Sequence, residues 1–82
     1  MEPMTRILFV GTSATDDQTR AGFPFNFALA AHEAGHQPEI FLTGEAAFLM
    51  LEDVAASVMP VAMPPLREML EKAVAAQIPI YV

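Results

Sequence analysis

The chain has 82 residues, of which 54% are hydrophobic, a formal net charge of −6 and no cysteine. A domain of this length buries only about 60–65% of the surface its unfolded form exposes, so its core is thin and its apolar content exceeds what a small sphere hides. The four basic residues form no stripe for nucleic acid or an anionic membrane, no apolar run reaches the ~20 residues of a membrane span, and disulfides, thiolate ligands and thiol chemistry are excluded. The start, Met1-Glu2-Pro3-Met4-Thr5, lacks the basic and then apolar segments of a secretion signal, which points to a cytoplasmic protein. The surplus of apolar surface points to burial against other subunits. The alternative is a monomer that tolerates exposed alanine and methionine.

In chain order, Arg6-Ile7-Leu8-Phe9-Val10-Gly11 places four consecutive apolar residues between a charge and a glycine, the mark of a short strand buried on both faces at the centre of a parallel sheet. Ligands of open α/β sheets bind beyond the carboxyl ends of the strands, so residues 11–17 are where function is sought first. A helix is predicted to begin between Thr19 and Pro24, with its body at residues 23–34, because proline is tolerated in a first turn and breaks an interior. Phe23, Phe27, Ala30, Ala31 and Ala34 share one face and Phe25 and Leu29 another, so this helix reads as packed on most sides. Gly35 ends it, and Pro38 prevents continuation.

Residues 39–43 read as a second strand closed by Gly44, and residues 45–51 as a short apolar helix. Residues 54–64 hold two prolines and two methionines without a period, the pattern of a loop with at most a helical turn. Pro65 opens a helix in which Leu66, Met69, Leu70, Ala73 and Val74 line one side, with Arg67, Glu68, Glu71 and Lys72 in opposite-charge i, i+4 pairs on the other. Residues 78–82 read as a third strand in which Pro79 must lie at the start or on an edge. This β-α-β alternation predicts one α/β domain over residues 1–82, with a parallel sheet in the order 2-1-3 and helices on both faces.

The strand Ile7-Leu8-Phe9-Val10-Gly11-Thr12, the helix closing on Ala34-Gly35-His36, the strand Ile40-Phe41-Leu42, the Pro64-Pro65-Leu66-Arg67-Glu68-Met69-Leu70 opening and Ile78-Pro79-Ile80-Tyr81-Val82 together resemble the DsrE/DsrF-like family. Its members are small α/β proteins associated with sulfur relay. The resemblance implies a three-layer flavodoxin-like fold, assembly into trimers or hexamers, and in active members a cysteine just after the third strand that carries sulfur as a persulfide. That position would follow Val82, where this chain stops. The resemblance therefore implies a domain incomplete at its C-terminal end, to which no catalytic residue carries over. Persulfide chemistry would then need a thiol from a missing tail or from a partner protein.

Two further patterns bear on chemistry. His32-Glu33-Ala34-Gly35-His36 matches H-E-x-x-H, in which two imidazoles one helical turn apart bind zinc and the glutamate activates water. Gly35 as a helix stop predicts that His36 leaves the helix, so that His32 and His36 lose their shared face, and a plain exposed helix end is the competing reading. Gly11, Thr12 and Ser13 lack both G-x-G-x-x-G and the Walker lysine, yet with Asp17 and Arg20 they are candidates to hold a small anion, against a capped and solvated loop. Asp16 and Asp17 read as solvated carboxylates, and Met50, Met59, Met63 and Met69 as gap-filling residues. No cofactor is implied. The expectation is a homo-oligomeric sulfur-relay relative without catalysis of its own; the alternatives are a structural or anion-binding subunit and a zinc hydrolase through His32 and His36.

Overall fold

Residues 5–82 are described by the computed structural model; Met1 to Met4, and with them most of the start read above as lacking a secretion signal, lie outside the described residues. Strand β1 (Arg6–Gly11) leads into helix α1 (Gln18–Glu33) and strand β2 (Gln37–Leu42); a 3₁₀ helix (Gly44–Met50), helix α2 (Glu52–Ser57), helix α3 (Leu66–Ala75) and strand β3 (Ile80–Tyr81) follow. All strand pairs are parallel. The α/β class, the parallel three-stranded sheet and its consistency with a flavodoxin-like fold are as expected.

The strand order is not. The sheet runs β1-β2-β3, so β2 is central and β1 lies on an edge, which corrects the predicted 2-1-3. Each crossover steps the chain one strand further in the same direction, as in one half of a doubly wound sheet of order 3-2-1. The apolar run of β1 also misled about its faces. Ile7, Phe9 and Gly11 pair with Pro38, Ile40 and Leu42 on the side that carries the core, whereas Leu8 and Val10 on the opposite side are 55% and 54% exposed. Phe41 and Tyr81 open onto that same side. The described helices gather on the other face, where Phe25, Ala28, Ile40, Leu42, Leu49, Leu66, Met69 and Ala73 form one buried cluster. The second helical layer of a three-layer fold is not contributed by the described residues.

Helix α1 starts five residues before its predicted body because Asp17 caps it, accepting the Arg20 N–H at 3.0 Å. Pro24 therefore lies inside the helix, contrary to the rule that placed it in the first turn. Its missing N–H removes one intrahelical bond, but its ring is buried against Gly11, where an added Cβ would meet Pro24 Cγ at 3.0 Å. Tertiary packing thus outweighs the local penalty. The buried stripe is Ala21, Gly22, Pro24, Phe25, Ala28 and Ala31, while Phe23 and Phe27 face outward at 39% and 50% exposure. The helix is packed on one side, not on most.

Both long helices end alike. Gly35 (φ 89°) lets the His36 N–H reach the Ala31 carbonyl at 3.0 Å, and Gln77 (φ 61°) lets the Ile78 N–H reach the Ala73 carbonyl at 3.0 Å. That second closure takes Ile78 out of the sheet, and Pro79 offers no N–H, so β3 shrinks from the expected five residues to two. Pro38 likewise has no N–H to give toward β3, and pairing begins with the Ile40 N–H on the Pro79 carbonyl at 2.9 Å. Helix α3 matches its prediction, with Leu66, Met69 and Ala73 buried and the pairs Arg67–Glu71 and Glu68–Lys72 at 3.2 and 3.5 Å. Helix α2 occupies sequence read mostly as loop, and the segment before it is 3₁₀ rather than α-helical.

Candidate functional site

The carboxyl ends of β1 and β2 are locked together by Thr43, whose N–H and hydroxyl both donate to the Gly11 carbonyl, at 2.9 and 3.4 Å. From there the loop turns into α1, and its own acids take its donors. The Asp16 carboxylate accepts the Ala14 N–H at 2.7 Å, and Asp17 accepts the Arg20 N–H as the helix cap. The Arg20 guanidinium lies 3.8 Å from the other Asp17 oxygen. Two carboxylates therefore sit where an anion would approach the helix start, with one exposed cation beside them.

Of the five residues expected to bind an anion, the structure brings three to one place. Gly11, Thr12 and Arg20 line a cleft of about 290 Å³ together with Phe9, Val10, Phe23, Pro24 and Phe27. Ser13 is buried elsewhere in the loop, and Asp17 is occupied as the cap. The aromatic wall of this cleft escaped the sequence reading. The only sequence signal is the one-turn spacing of Phe23 and Phe27, which a packed helix face shares; Phe23 and Phe27 stack at 5.6 Å between ring centroids, and Phe9 lies 6.4 Å from Phe27. Replacing Asp17 by alanine should lower stability by about 1 kcal/mol through loss of the cap, read as a lower urea midpoint by circular dichroism. An unchanged midpoint would mean that the α1 start is held by packing alone.

His32 and His36 meet at the opposite end of the sheet. They line a cleft of about 380 Å³ with Gln37, Pro38, Glu39, Ala76, Gln77, Ile78 and Pro79. The α1 helix ends at Glu33 and His36 lies beyond the left-handed Gly35, so the two imidazoles do not share a helical face. Among the described residues no three or more of His, Asp and Glu gather closely enough to hold a metal ion. The Glu39 carboxylate is engaged by Arg6 at 2.7 Å, and that charge-assisted bond holds its pKa below the usual glutamate value against the opposing effect of burial. His36 Nδ1 is a buried atom without a hydrogen-bond partner.

A parallel sheet in the order β1-β2-β3, with α-helices in its crossovers and polar loops at its strand ends, defines a protein of the α/β class, consistent with a flavodoxin-like fold. Within that class the chain belongs to the DsrE/DsrF-like family, whose model matches residues 5–82. No curated protein and no solved structure matches it. Among the described residues no helix is long and apolar enough to cross a membrane.

Proposed function

We propose that this protein is a subunit of a cytoplasmic sulfur-relay system that assembles as a trimer or hexamer and positions a thiol, from a cysteine-bearing tail or from a partner protein, that carries the sulfur. The observation that carries the reading is the family match over residues 5–82 combined with a sequence that contains no cysteine. Persulfide transfer moves a terminal sulfur from one thiol to another: an acceptor thiolate attacks the outer sulfur, the S–S bond breaks, and the donor leaves as a thiolate. Residues 1–82 supply neither thiol in that exchange, so within them the contribution is binding and orientation of a thiol that a partner or a C-terminal tail provides.

The test uses a persulfidated sulfurtransferase carrying labelled sulfur. Native gel filtration should show the label travelling with the complex, while denaturing electrophoresis without reductant should leave residues 1–82 unlabelled. Absence of any complex with the loaded donor or with candidate acceptors would leave a purely structural role. The second reading, a subunit that takes a small anion, is supported by the cleft that Gly11, Thr12 and Arg20 share and is opposed by Asp16 and Asp17. Phosphate titration by calorimetry separates the two, since only the anion site gives saturable heat that is lost in Arg20→Ala.

A further inference from the structure

The turns that close α1 and α3 stand together at the amino ends of β2 and β3, and between them lies the cleft of about 380 Å³ that His32 and His36 border. Its walls are fixed from within the chain. The His36 N–H is held on the Ala31 carbonyl and the Ile78 N–H on the Ala73 carbonyl, and no residue of β1 belongs to the lining.

The surroundings of this cleft share one electrical sign. Helices that cross over between parallel strands run against them, so α1 and α3 both bring their carboxyl-terminal, partly negative ends here. Glu39 adds a carboxylate to the lining, and both bonds from Arg6 fall on its Oε2. Among the described residues the lining holds no lysine or arginine, in a chain of net charge −6.

The polar side chains here are short of donors to accept from. Among the described residues, those of His32, His36, Gln37 and Gln77 have no hydrogen-bond partner. A neutral imidazole and a glutamine carbonyl each accept. His36 Nδ1 is buried as well, the costliest place for an unpaired acceptor.

We propose that this cleft binds a primary alkylammonium group, with its N–H donors on the imidazoles and the glutamine carbonyls and its methylenes along Pro38, Ile78 and Pro79. The charge matches the two helix ends and Glu39, three N–H donors match the acceptors, and the His36 ring turns to present a nitrogen. A metal ion fits less well, because no three of His, Asp and Glu gather among the described residues. A free amine and a lysine side chain of another protein present the same chemistry. The inference stands apart from the sulfur-relay reading and survives its failure.

Binding needs neutral imidazoles, so it weakens as they take up protons, ordinarily near pH 6.5. Around them stand Glu39 of β2, Arg6 of β1 and Tyr81 of β3 beside Glu39, while Glu33 of α1 borders a different groove and the α3 closure brings Ala76 and Gln77. Carboxylate, guanidinium and phenol groups ordinarily keep their charge between about pH 5.5 and 7.5, which leaves the imidazoles to set the profile.

Calorimetric titration of the full chain with pentylamine at about pH 7.5 tests this, with saturable heat for one site per chain expected. Tetramethylammonium has the charge without N–H donors, and pentanol has the chain without the charge; each should bind at least about tenfold more weakly. His32→Ala and His36→Phe should each raise the dissociation constant about tenfold or more with far-ultraviolet circular dichroism retained, as should lowering the pH to about 5.5. His36→Phe keeps a ring in place and removes the unpaired nitrogen, so it decides the matter if His32→Ala fails to fold. Nα-acetyl-lysine amide separates the sources: affinity equal to or above that of pentylamine assigns a lysine side chain, and lower affinity assigns a free amine. No saturable heat, equal binding of tetramethylammonium or pentanol, affinity unchanged in the folded variants or at the lower pH, or saturable zinc that excludes pentylamine overturns the inference.

Discussion

Phe25→Ala should remove about 3–5 kcal/mol of folding stability, most of what a domain of this size possesses. Phe25 is fully buried on the inner side of α1, within the cluster that joins Ile40 and Leu42 of the sheet to Leu66 and Met69 of α3. It is the largest of the fully buried side chains, and the described residues include no other aromatic among them. The loss combines transfer of the ring to water with a cavity that the thin core cannot close from both sides. For a chain of 60–100 residues each kcal/mol shifts the melting temperature by about 4–8 °C, so the variant should be largely unfolded at a temperature where the parent is folded. Phe27→Ala, on the outward side of the same helix, should cost far less in the monomer. Urea unfolding followed by circular dichroism at low concentration compares the two; similar losses would mean that the outer face contributes as much as the core.

Gly22→Ala should destabilise by about 1–3 kcal/mol, the reverse of the gain of roughly 0.5–1 kcal/mol that alanine gives over glycine inside an ordinary helix. A Cβ at this position would stand 2.7 Å from Pro60 Cγ, 3.0 Å from Pro60 Cβ and 3.3 Å from Met63 Sδ. Proline is a rigid neighbour, and its segment is not free to retreat. The Gln18 side chain accepts the Met59 N–H at 2.9 Å, and the Thr19 hydroxyl accepts the Val61 N–H at 3.1 Å, so the first turn of α1 pins the loop that Gly22 touches. Gly22→Val should be worse than Gly22→Ala, and the double variant Gly22→Ala with Pro60→Ala should recover part of the loss as a coupling between neighbours. A stabilised Gly22→Ala protein would show that the loop yields at little cost.

The close approach at Gly22 illustrates how information is divided between the sequence and the fold. The glycine could be read from the sequence as a weak point in a helix, but the segment of residues 58–63 that it accommodates lies more than thirty positions later and is joined to it by side chains, not by any local signal. The candidate site divides in the same way. The loop at residues 11–17 and the departure of His36 from the helix were legible, because Gly11, Gly35 and Pro38 act on their immediate neighbours. The gathering of Phe9, Phe23 and Phe27 around Gly11, Thr12 and Arg20 was not, because an exposed phenylalanine and a buried one have the same sequence pattern.

By itself the sequence determined the local elements: strands at β1 and β2, the body of α1 and its glycine end, the amphipathic α3 with its charge pairs, the α/β class and the resemblance to a family that the match over residues 5–82 establishes. These follow from periodicity, propensity and turn chemistry, which act over a few residues. Only the tertiary structure decided that β2 rather than β1 is central, that Pro24 is accepted inside a helix, that β3 is two residues long, and that Leu8, Val10, Phe41 and Tyr81 face away from the core. Each of these depends on which distant surface comes to lie against a residue, and an apolar side chain records that it favours burial without recording what will bury it.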